Sequence, residues 1–337
     1  MSQRQLERLL HTVSSADEIL ILPHNNPDPD AIASAVALRY LLMEKLDVEA
    51  RIAYQGIIGR AENRALVRYL VHPLRPLLKS DLEPSTPVAF IDTQPGAGNS
   101  VEAPPWVNIA VVIDHHSPLR STEAIQFSDF RPQLGATATI LTEYIMAAEL
   151  ELPSPLATAL FYGIKTNTMG LGRNVDKADA AAYYYLQPLI DVKGLSDIEH
   201  ARVPTHYFKG FDIALRSAKL YDHVLISYMG PLLYPDLTAE MADLLLRLEE
   251  SRWVICMGVY EEAMIISVRT SHQEYSAEEL VTAIIGVDGV AGGHGSIAGG
   301  QSPLEGQDAD EAAARLTSRT LQRLHVAADT TGKPLFE

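Results

Sequence analysis

The sequence predicts an α/β protein with two parts: an N-terminal parallel-sheet domain and a smaller C-terminal α/β domain with a mixed sheet. Two observations carry that expectation. From residue 1 to about 190, short apolar runs alternate with helical patterns, as in successive strand–helix–strand crossovers. Further on, "RWVICMGVY" and "AMIISVRTS" are separated only by Glu261-Glu262, a hairpin signal foreign to an all-parallel sheet. The 337 residues suffice for two packed cores. The more polar stretch "LIDVKGLSDIEHARVPTHYFKG" separates them, giving domains over 1–190 and 211–337 with a linker region over 191–210 and an active-site cleft between the domains.

In chain order, the first apolar run is Ile19–Leu22, a buried strand. Ala31–Leu46 follows as a helix, with Asp30 placed to cap it. Further strands are predicted over Glu49–Tyr54, Val88–Ile91 and Val107–Ile113, with a weaker one over Ala124–Phe127. Helical patterns occupy Arg60–Leu70, Ala136–Glu149, Pro155–Lys165 and Lys177–Leu189. The row Tyr183-Tyr184-Tyr185 in the last of these reads as packing, because stacking platforms for bases are interspersed with basic residues. In the second domain "HVLISYMG" joins the two hairpin strands, and helices are expected over Ala239–Glu250, Ala277–Ile285 and Asp308–His325. Low complexity is confined to "AGGHGSIAGGQSP", and there is no internal repeat.

Composition excludes several classes. No apolar run reaches membrane-spanning length, and "MSQRQLER" lacks the order of a secretory signal. The only cysteine, Cys256, lies in the apolar run "RWVICMGVY", which suits a core residue rather than a nucleophile. A cytoplasmic protein is expected. The formal net charge of −16, with no run of Lys or Arg, argues against a long duplex nucleic acid and against a membrane as partner. Acidity serves solubility in most proteins. Here some of the acids are also candidates to hold divalent cations, which would supply the positive charge a phosphorylated substrate needs.

Acids and histidines recur at one kind of position. "LPHNNPDPDAIASAV" places His24, Asp28 and Asp30 at a strand-to-helix turn. The run ending in Ile91 is followed by Asp92, and the run ending in Ile113 by Asp114, His115 and His116. Neighbouring parallel strands lie about 5 Å apart, so these side chains can converge on one crevice at the carboxyl ends of the strands. Mixed carboxylate and imidazole ligands suit Mn²⁺, with Fe²⁺ or Zn²⁺ less favoured. Two metals about 3.5–4 Å apart would share a carboxylate, for which Asp92 is the candidate, activate a water and polarise a phosphoryl group. In the second domain, the glycines of "AGGHGSIAGG" let backbone approach an anion closely. His294 within that run, and Arg269 at the end of "ISVRTS", add candidate anion-binding groups.

Taken in order, "HNNPDPDAIAS", "FIDTQP", "DHHSP" and "GGHGSIAGG" resemble the DHH phosphoesterases that carry the DHH-associated C-terminal domain. The resemblance is greatest to the branch of nanoRNases and 3′-phosphoadenosine 5′-phosphate phosphatases. It implies that His24, Asp28 and Asp30 bind Mn²⁺, that Asp92 bridges two ions and that His115 is a ligand. It also implies that His116 contacts the phosphate, that Asp114 orients the histidines, and that Gly292, Gly293 and His294 recognise the substrate. Arg269 corresponds loosely to a preceding serine or arginine pattern. Mg²⁺, Fe²⁺ or Co²⁺ are substitutes for Mn²⁺ on this reading, and a homodimer is compatible with it.

One position departs from the family pattern. Where these families commonly read G-I-x-T-D-T, this chain reads "GIKTNTMG", so Asn167 stands at a metal-ligand position with a neutral carbonyl instead of a carboxylate. Lys165, two residues earlier, reads as a helix-surface residue. The expected function is a Mn²⁺-dependent phosphohydrolase of short oligonucleotides or small phosphorylated nucleotides. The alternatives are a nucleotide-binding or regulatory protein with a weakened metal site, for which Asn167 is the reason, and an inorganic pyrophosphatase. The pyrophosphatase ranks lower because the basic Ser-Arg-Lys-Lys stretch expected in its second domain is absent.

Overall fold

The structure is a computed structural model that describes residues 2–119, 122, 125–272 and 275–336, with backbone alone at Asp288 and His294. It divides between Ala201 and Arg202 into two compact units. That boundary falls within the stretch 191–210, which is largely helical.

In the first unit the elements are α1 (Ser2–Val13), β1 (Glu18–Pro23), α2 (Pro29–Leu46), β2 (Glu49–Tyr54), α3 (Ala61–Tyr69), β3 (Arg75–Pro76), β4 (Val88–Ile91), β5 (Ile109–Asp114), β6 (Phe127–Phe130), α4 (Thr137–Ala147), α5 (Ser154–Asn167), α6 (Lys177–Leu186) and α7 (Val192–Glu199). Six parallel strands form a sheet in the order β3-β2-β1-β4-β5-β6. The first three strands run outward from β1 in one direction and the last three from β4 in the other. The order therefore reverses between β1 and β4, the switch point at which open α/β sheets bind ligands.

Both faces of the sheet are buried, in different ways. Ile19, Ile21, Ala89, Ile91, Val111 and Ile113 point into a core shared with α1, α2, α4 and α5. Leu20, Leu22, Val88, Phe90 and Val112 point the other way and pack against Val101, Val107 and neighbouring residues of the irregular segment before β5. Burial on both sides explains why these strands read as continuous apolar runs. α2 is buried almost throughout its first half, where small residues alternate with Ile32, Val36 and Leu38.

Several sequence expectations need correction. The cap of α2 is Asp28, whose carboxylate accepts from Ala31 N–H at 3.0 Å, while Asp30 lies inside the first turn. Pro29 decides this, because proline is preorganised for the first helical position. The weak strand begins at Phe127 rather than Ala124, which lies outside the described residues. α1 and the two-residue β3 have no counterpart among the expected elements.

The second unit contains α8 (Thr205–Ser217), β7 (Lys219–Tyr221), β8 (Val224–Pro231), α9 (Leu237–Leu245), β9 (Trp253–Tyr260), β10 (Ala263–Thr270), α10 (Ala277–Ile285), β11 (Val290–His294), β12 (Ile297–Pro303), α11 (Ala309–Arg323) and β13 (Lys333–Pro334). Its seven strands lie in the order β11-β12-β10-β9-β8-β7-β13, with β8 and β9 parallel and the other pairs antiparallel. The glycine-rich run is thus a hairpin, not an irregular loop, and Gly292 and Gly293 belong to its edge strand. Cys256 is fully buried in β9, and burial pushes its thiol well above the usual range.

A buried acid fixes the start of α4. Asp179, fully buried on α6, accepts from Gly135 N–H at 2.8 Å, Thr139 Oγ1 at 2.6 Å and Asp176 N–H at 2.8 Å. A Cβ at Gly135 would lie 2.5 Å from Asn174 O, so glycine is required for that close approach. The change Asp179→Ala strands these donors and should cost about 3 kcal/mol. It should appear as a lower urea midpoint of the first unit with an unchanged m-value.

Candidate metal centre

Strand register builds the site. Pro23 pairs with Ile91, and Ile91 with Ile113, so β1 and β4 end level with one another and one residue short of the end of β5. The next residues, His24, Asp92 and Asp114, therefore emerge side by side at the switch point. Asp92 has a left-handed backbone with φ 57°, a conformation that Asp tolerates better than most residues and that recurs at functional sites. Its N–H is anchored to Ile113 O at 3.0 Å.

Two groups of donor atoms form here, each lying within 4.8 Å: His24, Asp28 and Asp92, and Asp92, His115 and His116. Asp92 belongs to both. His24 Nε2 is 3.7 Å from Asp92 Oδ2, and His115 Nε2 is 3.6 Å from Asp92 Oδ1. His24 Nε2 also faces Asp28 Oδ1 at 3.6 Å. The far nitrogens set the ring orientations: His24 Nδ1 donates to Asn25 O at 2.9 Å and His115 Nδ1 to Leu134 O at 3.1 Å. A carbonyl can only accept, so each Nδ1 carries a proton and each Nε2 is turned towards Asp92, the orienting arrangement usual for metal-ligating histidines. Imidazole and carboxylate donors converging in this way suit a divalent cation.

Asp30 takes a different position from the one expected. Its carboxylate, fully buried, accepts from the N–H groups of Thr137 at 2.8 Å and Ala138 at 2.7 Å at the start of α4. Ser34 Oγ at 3.3 Å and Asn167 Nδ2 at 2.8 Å complete its partners. Asp30 thus joins neither donor group, and Asn167 meets the site through that carboxylate. Gly163 makes this possible: a Cβ there would lie 3.1 Å from Asp30 Cα, and Asn167 is one turn further along the same face of α5.

The charges reflect burial and close approach of the carboxylates and imidazoles. Burial, reinforced by Asp30, pushes Asp92 up to about 8, and burial with the Asp28 charge pushes Asp30 up to about 7. Burial by itself would lower His24, but the adjacent Asp28 carboxylate and the Asp92 charge outweigh this and raise it to about 10. For His116, burial is likewise outweighed by the Asp114 carboxylate, which holds the imidazole up at about 9.

The remaining residues singled out in the sequence make the following contacts. Asp114 serves His116, with Oδ1 accepting from His116 Nδ1 at 2.7 Å. Lys165 pairs with Glu199 on α7. Arg269 is buried in the second unit and donates to Asp243 and to the carbonyls of Val268 and Ala298. The His294 side chain lies outside the described residues. Thr137 carries no motif that marks it in the sequence: fully buried, it donates from Oγ1 to Asp92 Oδ1 at 2.7 Å and accepts from His115 N–H at 3.2 Å. Gln94 is a further addition to the expected set, although it stands in the quoted "FIDTQP".

Residues 18–164, which hold this site, match the DHH family, N-terminal domain, and the first unit of the chain is a DHH-family domain. Over 287 residues the chain is 36% identical to an uncharacterized protein of Methanocaldococcus jannaschii, covering 85% of this chain and 58% of that one. It is 26% identical over 150 residues to a probable manganese-dependent inorganic pyrophosphatase of Lactobacillus gasseri, covering 44% of this chain and 47% of that protein. The chain thus spans roughly half the length of these curated relatives. Among solved structures, an exopolyphosphatase-related protein from Bacteroides fragilis is similar in fold, with a TM-score of 0.71 at 15% identity over 95% of this chain and 96% of that one. The DHH domain of a member of a ribosomal-protein family reaches a TM-score of 0.51 at 13% identity, over 95% and 91% of the two chains. No helix among the described residues is long and apolar enough to cross a membrane.

Because Thr137 holds the carboxylate common to both donor groups, Thr137→Val should weaken divalent-cation binding by about 10–100-fold. Titration calorimetry on chelator-stripped protein reads this directly, and unchanged affinity would show that Asp92 needs no such support.

Proposed function

We propose that this protein is a Mn²⁺-dependent phosphohydrolase that acts on short oligonucleotides or small phosphorylated nucleotides. The observation that carries the reading is the sharing of Asp92 between two donor groups at the switch point of a DHH-family sheet. That sharing is the arrangement a bridged pair of ions requires. Bound there, the cations supply Lewis-acid polarisation of a phosphoryl group and activation of water. His24, Asp28, Asp92 and His115 hold them, and Asn167 supports the site from α5. His116 faces the phosphoryl oxygens as a charged donor: Nδ1 is committed to Asp114, so any bond to substrate goes through Nε2. Gly292 and Gly293 in the second unit form the substrate-binding strand of this reading. Arg269 drops out of it, being committed to Asp243. With a formal net charge of −16, the protein suits a small substrate better than a long polyanion.

The test is release of mononucleotide from a synthetic RNA dinucleotide by purified, chelator-stripped protein. Hydrolysis is expected with Mn²⁺ and not without it, and His24→Ala or Asp92→Ala should reduce it by at least about a thousandfold, as expected when a cation that activates the nucleophile is lost. A second reading, inorganic pyrophosphatase, is favoured by the likeness over 150 residues to a probable manganese-dependent inorganic pyrophosphatase. It is separated by running pyrophosphate as a parallel substrate. Hydrolysis of pyrophosphate alone would replace the oligonucleotide reading.

Asn167 gives a further prediction. Its amide donates to Asp30, whereas a carboxylate would add negative charge beside it. Asn167→Asp should therefore tighten Mn²⁺ binding by about tenfold, because affinity at oxygen-ligand sites rises with ligand charge. The shift is read as a lower Mn²⁺ concentration at half-maximal binding.

A further inference from the structure

We infer that Gln94 is the positioning residue of the site: it locks the Asp114 carboxylate, and through it sets the orientation in which His116 meets the phosphoryl group. Gln94 follows Asp92 by two residues and is 2% exposed. Its Nε2 donates to Asp114 Oδ2 at 2.9 Å and to Ser117 O at 3.0 Å, and its Oε1 accepts from Leu119 N–H at 2.7 Å. The amide orientation is fixed by its partners, since a carboxylate and a carbonyl only accept and a backbone N–H only donates. One side chain therefore clasps the start, middle and end of the segment 114–119.

The consequence falls on Asp114. Its Oδ1 accepts from both His116 N–H at 3.1 Å and His116 Nδ1 at 2.7 Å, which fixes the ring relative to its own backbone. Its Oδ2 is held by Gln94. Loss of that bond leaves the carboxylate able to turn about χ2, and the imidazole turns with it. His116, with a side chain 39% exposed, has less surrounding packing to hold it than His115 at 4%. Gln94 thus ties the orientation of the phosphate-facing histidine to the turn that carries Asp92. Asp92 itself keeps its contacts to Thr137 and Ile113 without Gln94. Metal binding and histidine orientation should accordingly separate on mutation.

The test uses two variants of the full chain. Gln94→Met keeps the volume and removes all three hydrogen bonds. Gln94→Glu keeps the acceptor for Leu119 and removes the donors to Asp114 and Ser117. The first readout needs no activity: the hydrogen-bonded Nδ1 proton of His116 in the NMR spectrum, identified by its loss in His116→Ala. Both variants should lose that signal while keeping the His115 Nδ1 proton and wild-type Mn²⁺ affinity. A His116 signal unchanged in both, or loss of Mn²⁺ affinity alongside it, would overturn the assignment.

The kinetic arm rests on the proposed phosphohydrolase function. There Gln94→Met should lower kcat by about tenfold, within the range typical of outer-shell partners, with little change in KM. In the His116→Ala background it should have no further effect, whereas additive losses would mean that Gln94 acts through something other than His116. If the wild-type protein hydrolyses neither the dinucleotide nor pyrophosphate, the functional reading fails while the NMR arm still decides the role of Gln94.

Discussion

The carboxylate of Asp30, set against the first N–H groups of α4, is the contact on which the N-terminal unit is assembled. It lies on α2, accepts from Thr137 and Ala138 on α4, and accepts again from Asn167 on α5. Three helices that have no short-range reason to meet are thereby fixed at one end, directly above the ends of β1, β4 and β5. The start of a helix is a favourable place for a negative charge, because unpaired N–H groups and the helix dipole both point at it. Burial opposes this by favouring the neutral acid, which is why Asp30 sits at about 7 instead of in the usual carboxylate range. Thr137 links this scaffold to the chemistry: its N–H serves Asp30 while its hydroxyl serves Asp92.

The same crowding explains what the site attracts. Asp30 and Asp92 are buried beside the part-exposed Asp28, and the mutual repulsion of the three must be relieved. Protons relieve it in part, seen in the raised positions of Asp92 and His24. A dication relieves it more completely, and its binding displaces protons from the groups that serve as ligands. Three donors of the site have hydrogen-bonded supports of their own. His24 leans on the Asn25 carbonyl, His115 on the Leu134 carbonyl and Asp92 on Thr137. Little reorganisation is then needed when an ion enters.

Much of this was legible in the sequence because apolar runs and polar ends are local signals. β2, β4 and α10 span the expected residues, and His24, Asp28, Asp92, His115 and His116 fall together because the alternation of strands and helices fixes which ends are adjacent. Partners distant in the chain were not legible. Asp30 and Thr137 are separated by more than a hundred residues, so nothing near Asp30 distinguishes a cap from an acid addressed to another helix. β3 has two residues and no period to detect. The hairpin of β11 and β12 is absent from the expected elements because glycines carry no apolar alternation, although the pairing of Gly292 with Gly299 is regular. For Arg269 the sequence offered a charged strand end, and only packing could disclose Asp243 opposite it.

Asn167 shows how a change at a ligand position can be absorbed by the surrounding structure. A carboxylate there would face Asp30 at hydrogen-bond distance, a like-charge contact that only a bound cation or a shared proton could hold. The amide turns the same contact into a donor–acceptor pair at 2.8 Å, so α5 stays docked on α2 whether or not an ion is present. What is given up is one negative charge in the field that attracts the cation. His24 and Asp28 remain grouped with Asp92 on one side and His115 on the other, so the loss bears on how tightly metal is held more than on where it is held. A site with a neutral amide at this corner is preorganised at rest, and its demand for metal is correspondingly moderated.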